Sequence, residues 1–75
     1  MAHLRDNKLL KKMAIVLKQV REERGLSQED VYNDTNIHIG RLETAKANPT
    51  VSTISYLCDY YKINLSEFYR FTEKI

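Results

Sequence analysis

The side chains able to do chemistry in this sequence are few, and their spacing argues against catalysis. His3 and His38 lie far apart, and Cys58 occupies an inward helical position, where a thiol serves as a small core residue. There is no Gly-rich phosphate loop, no metal-ligand spacing and no paired-carboxylate cleft. A chain of 75 residues also leaves little room for a substrate pocket of ordinary size. The expectation is a protein that is not an enzyme and uses no cofactor or metal.

Charge points elsewhere. The formal net charge is only +2, but it is unevenly spread. Residues 1–24 carry seven basic side chains (Arg5, Lys8, Lys11, Lys12, Lys18, Arg21, Arg24) against three acidic ones, whereas the remainder carries five against seven. A basic first helix can meet phosphates. The same residues also suit an ordinary solvated helix face.

These residues need a frame to position them. Hydrophobic residues at 43% and charged residues at 29% exclude a disordered tail and fit a small helical domain. The whole of 1–75 is read as one domain. A single cysteine rules out an internal disulfide and suits a reducing compartment. No apolar run approaches the roughly 20 residues of a membrane span, and the N-terminus has no apolar stretch of the signal-peptide kind. A cytoplasmic protein is expected.

Periodicity divides the chain into five helical stretches. Leu10, Met13, Leu17 and Val20 share one face of a helix from about Asn7 to Arg24, with Asp6 or Asn7 as cap and Gly25 at a left-handed end. Ser27 caps a second helix, with Asp30 as the acidic half of a capping box. Turn chemistry in Asn33-Asp34-Thr35-Asn36 ends it by Asp34. A third helix is expected from about Ile37 to Ala45, with Ile39 and Leu42 inward. Gly40 within it costs about 1 kcal/mol relative to Ala, which makes sense if another backbone comes close. Thr50 caps a fourth helix over about Val51–Lys62, with Ile54, Leu57, Cys58 and Tyr61 inward. Asn64 and Glu67 open a fifth, burying Leu65 and Phe68. Turns of two to five residues then force neighbouring helices around one small core.

Three blocks carry a resemblance: Val20-Arg21-Glu22-Glu23-Arg24-Gly25-Leu26-Ser27-Gln28-Glu29-Asp30-Val31, then Ile39-Gly40-Arg41-Leu42-Glu43-Thr44-Ala45-Lys46-Ala47-Asn48-Pro49-Thr50, then Ile63-Asn64-Leu65-Ser66-Glu67-Phe68-Tyr69. In this order, over about residues 13–70, they resemble the helix-turn-helix domain of the phage repressor, Cro and xenobiotic-response-element family. The resemblance implies an all-α, compact five-helix, lambda-repressor-like domain that binds double-stranded DNA, in a bacterial or phage-derived regulator. A Ser-capped helix starting with Gln presents backbone N–H groups and an amide to a phosphate. The next helix can lie in a major groove about 12 Å wide.

Residue by residue, the resemblance makes Gln28 a phosphate contact, Arg41 a base-facing residue of the reading helix at about 36–46, and Lys46 a phosphate contact in the loop after it. Thr44 is a further contact. Asn36 and His38, at the head of that helix, are either groove contacts or, respectively, a cap and a solvated first-turn residue. Arg21 pairs with Glu43 to join the first helix to the reading helix. Three departures stand out. Between Gln28 and Glu43 the chain is about three residues, or nearly one helical turn, shorter than the family pattern. Tyr32 occupies a position the family gives to Ala. Ala45 replaces the usual Gly, at a cost on the order of 1 kcal/mol if it is left-handed.

Tyr56, Tyr60, Tyr69 and Phe71 are read either as the interface of a twofold homodimer through the last two helices or as core packing. The resulting functional reading is a sequence-specific transcriptional regulator, a repressor covering near-palindromic operator DNA as a homodimer. The alternatives are a protein-interaction module on the same frame, an antitoxin with a partner protein, and a restriction–modification controller.

Overall fold

The structure, a computed structural model, describes residues 6–75; His3 and Arg5 lie outside the described residues. The helices are α1 (Asn7–Glu23), α2 (Gln28–Thr35), α3 (Ile39–Glu43), α4 (Val51–Tyr61) and α5 (Leu65–Glu73). No strand occurs among the described residues.

Four of the five helix starts use a side chain to satisfy backbone N–H groups at the helix entry; α3, begun by His38, has no side-chain cap. Asp6 Oδ1 accepts from Leu9 N at 2.9 Å, and Thr50 Oγ1 accepts from Thr53 N at 3.1 Å. At α2 the exchange is reciprocal: Asp30 N donates to Ser27 Oγ at 3.0 Å, and Ser27 N donates to Asp30 Oδ2 at 2.9 Å. Those donors hold the Asp30 carboxyl below its ordinary pKa. At α5, Asn64 N donates to Glu67 Oε1 at 3.4 Å.

Three helix ends close by paired bonds around a left-handed residue. After α1, Gly25 N donates to Glu22 O and Leu26 N to Arg21 O, with Gly25 at φ 69°. After α3, Ala45 N donates to Leu42 O and Lys46 N to Arg41 O, with Ala45 at φ 59°. After α4, Lys62 takes this place at φ 62°, with Ile63 N reaching Cys58 O.

The core is assembled from one stripe of each helix. Met13, Val16, Leu17 and Val20 of α1 meet Val31 of α2, Ile39 and Leu42 of α3, Ile54, Leu57, Cys58 and Tyr61 of α4, and Phe68 of α5. Fully burying such an aliphatic or Phe side chain stabilises the fold by about 1.5–3 kcal/mol. Helix α1 packs against both α3 and α5, α2 against α3, and α4 against α5. Burial pushes the Cys58 thiol above its ordinary pKa, which disfavours the thiolate a nucleophile needs.

Helix α3 departs from the sequence expectation. It spans Ile39–Glu43 rather than Ile37–Ala45, and the connection after it runs through residues 44–50, longer than expected. Thr35 is the local cause at its start. Its hydroxyl donates to Val31 O at 2.7 Å and accepts from Ile37 N at 3.1 Å, carrying α2 one residue past Asp34 and holding Ile37 outside any helix. Asn36 then turns left-handed at φ 62°, its N–H donating to Tyr32 O. At the other end, the left-handed Ala45 stops α3.

Candidate nucleic-acid interface

A charged knot lies beneath α3. Arg21 Nε donates to Glu43 Oε2 at 2.7 Å and Nη2 to Glu43 Oε1 at 3.0 Å, while Nη1 donates to Leu26 O at 2.8 Å. Gln28 Nε2 adds a third donor to Glu43, at 3.1 Å from Oε1. The ion-pair side chains are only 9% and 2% exposed, so this two-pronged pairing is shielded from water. Its hydrogen bonds hold the Arg21 guanidinium still more firmly protonated than usual. One network therefore ties α1, the turn after it, α2 and α3 together. Such a pair adds little net stability but can fix orientation.

Gly40 belongs to the same arrangement. A Cβ there would stand 3.2 Å from Gln28 Oε1. The approach that favours glycine is thus by a side chain, not by the backbone anticipated from the sequence.

The outward surface carries the six residues singled out for DNA, and all six (Gln28, Asn36, His38, Arg41, Thr44 and Lys46) are exposed. Gln28, His38 and Arg41 line one open cleft of about 350 Å³ between α2 and α3, together with Glu29, Tyr32, Ile39 and Gly40. Arg41 and Lys46 have no side-chain hydrogen-bond partner among the described residues, and the bond from Lys46 N to Arg41 O fixes their backbones relative to each other. Among the six, Gln28 is the least available, because its amide nitrogen already serves Glu43. Thr44 donates its hydroxyl to Gly40 O at 2.9 Å, closing the end of α3, so it has no free donor for a base. Asn36 is corrected: it ends α2 and does not stand at the head of α3, where His38 is the residue before the first helical position.

The helix-turn-helix family model, of the Cro/C1 type, matches residues 17–68. The chain belongs to this family. A search of curated proteins and a search of solved structures each returned no match. The family is one of DNA-binding regulators and not of enzymes, and here its second and third helices are α2 and the short α3.

Around the helix-turn-helix, other expected residues divide. Lys11 of α1 lines a recess with Glu43, Thr44 and Ala45, which brings one of the basic residues of the first helix beside the end of α3. Arg24 does not join it, because its Nε donates to Tyr61 O at 2.8 Å, at the end of α4. Tyr60 and Tyr69 pack against the core, and the Tyr60 hydroxyl donates to Asp34 Oδ2. Tyr56 (51% exposed) and Phe71 (37%) remain outward. No described helix is long and apolar enough to cross a membrane.

Tyr32 is the residue the sequence reading passed over as a possible contact. It is 39% exposed, and its ring lies 4.6 Å from that of His38, tilted by 31°. The signal was present, since a tyrosine sat where the family places Ala. Its partner His38 lies four residues beyond the expected end of α2, across a turn, so no local spacing pairs the two rings.

Proposed function

We propose that the chain is a sequence-specific transcriptional regulator that represses by covering near-palindromic operator DNA as a homodimer. The observation that carries this is the pairing of a buried anchor with an unengaged cationic surface. Glu43 fixes α3 from below, while Arg41 and Lys46 are exposed two and three positions to either side of it, with no partners among the described residues. Arg41 reads a base edge, a guanidinium being suited to the two acceptors of guanine. Lys46, Lys11 and the start of α2 at Gln28 grip phosphates. His38 stands at the groove end of α3.

The exposed Tyr56 and Phe71 on α4 and α5 support a dimer through those helices, which sets two reading surfaces about 34 Å apart along one face of the duplex. Tyr60 and Tyr69 support that face from beneath, as half-buried packing.

Binding to a random duplex library across a salt series tests the reading. Affinity falls steeply as salt rises; Lys46→Ala weakens all duplexes alike and lowers the salt slope by about one. A parent protein with salt-insensitive or absent binding removes the proposal. Light scattering at micromolar concentration checks the dimer, which a strictly monomeric mass would exclude.

A further inference from the structure

Five residues make α3 only about 7.5 Å long, less than the roughly 12 Å width of a major groove. Within it, Ile39 and Leu42 are buried in the core, Gly40 has no side chain, and Glu43 is held by Arg21 and Gln28. Arg41 is thus the one α3 side chain left to meet a base edge. A wider readout has to come from residues flanking the helix.

Tyr32 meets that need. It projects from α2 into the cleft that Arg41 and His38 also line, and its ring leans on the His38 ring. Neither side chain has a hydrogen-bond partner among the described residues. The ring is not needed to join α2 to the core, because its neighbour Val31, fully buried, does that. A large aromatic left 39% exposed gains from an apolar contact that removes it from water. Leaning on His38 narrows its rotamers before binding, so less freedom is lost in the complex.

We propose that Tyr32 is a specificity-determining residue that packs its ring on a thymine C5-methyl group, beside the base pair read by Arg41, with His38 as the positioning residue that steadies the ring. The methyl is the one apolar feature on the major-groove edge of a base pair, and it matches an aromatic surface better than any donor or acceptor does. This inference rests on α3 facing the major groove.

The test uses the full chain and a duplex chosen by selection, with thymines replaced one at a time by uracil, which removes only the methyl. The parent loses about three- to tenfold in affinity at one position, on the scale of one buried methyl or somewhat more. Tyr32→Ala loses a similar factor on the thymine duplex and no longer distinguishes uracil, as a double-mutant cycle requires. Tyr32→Phe retains the discrimination, His38→Ala reduces it, and the salt slope is unchanged in all three, because no phosphate contact is lost. Circular dichroism confirms that the variants keep their helices.

If Tyr32→Ala keeps the parent's preference for thymine at every position, the inference is overturned while DNA binding stands. A Tyr32→Phe variant as defective as Tyr32→Ala also overturns it, assigning the hydroxyl rather than the ring. A parent that binds no duplex overturns the underlying DNA-binding reading instead.

Discussion

Arg41 and Glu43 are two positions apart on the same short helix, yet their surroundings are opposite. Glu43 receives three side-chain hydrogen bonds from two other helices and is nearly sealed from water. Arg41 is exposed and has no partner among the described residues. The difference shows how a helix too short to be stable by itself can be held rigidly and still leave a side chain free. Orientation comes from the buried carboxylate, the recognition proposed above is left to the free guanidinium, and neither task uses the other's side chain.

The largest expected effect comes from breaking the held side. Glu43→Ala leaves the Arg21 guanidinium buried without its counter-charge, which costs about 3 kcal/mol or more. A loss of that size lowers Tm by more than about 10 °C, read by calorimetry. It also weakens binding to every duplex, since α3 loses its orientation. A stability near that of the parent would mean that the knot does not hold α3.

Arg41→Ala sharpens the contrast from the free side. Stability stays within about 0.5 kcal/mol of the parent, while affinity for the selected duplex falls by about 1–3 kcal/mol and preference relaxes at one base pair. Unfolding at a lower temperature, with unchanged DNA preference, would reverse the two roles.

Ala45→Gly tests the hinge between Arg41 and Lys46. Because Ala45 sits at φ 59°, glycine relieves a left-handed strain and raises stability by about 0.5–1 kcal/mol after its own entropy is deducted. Chemical denaturation measures this, and DNA preference is expected to be unchanged.

The smallest effect lies at the far end of α2, where Tyr60 donates to Asp34. Its hydroxyl is pushed up from 10 to about 12, first by that hydrogen bond and then by desolvation. A folded pKa above the unfolded one means the bond stabilises the fold fully below pH 10 and is lost as pH rises through about 12. Ultraviolet titration finds two tyrosines ionising late, Tyr60 and the buried Tyr61, and Tyr60→Phe removes one of them.

Much of this frame was legible in the sequence because it rests on local rules. Ser27, Thr50 and Asp6 act as caps through side chains that reach only three residues along the chain. The inward residues of α1, α3 and α4 follow the helical repeat. The bounds of α3 were not legible in the same way. Polar residues at 33–36 and apolar ones at 37 and 39 fit either a longer helix or a turn, and the choice lay with the Thr35 hydroxyl and the left-handed Asn36. Thr44 and Gln28 looked available from their types, but both already serve partners inside the domain.

The sequence by itself determined that there are five helices, the caps of four of them and the inward stripes of α1, α3 and α4, because these depend on contacts between residues three or four apart. Only the tertiary structure decided which polar residues remain free. The Arg21–Glu43 bond, which the family resemblance had implied, spans 22 positions, and the Gln28–Glu43 bond, which nothing in the sequence had implied, spans 15; over such distances no local spacing says which donor reaches which acceptor. Tyr32 and His38 likewise meet only because Asn36 reverses the chain between them.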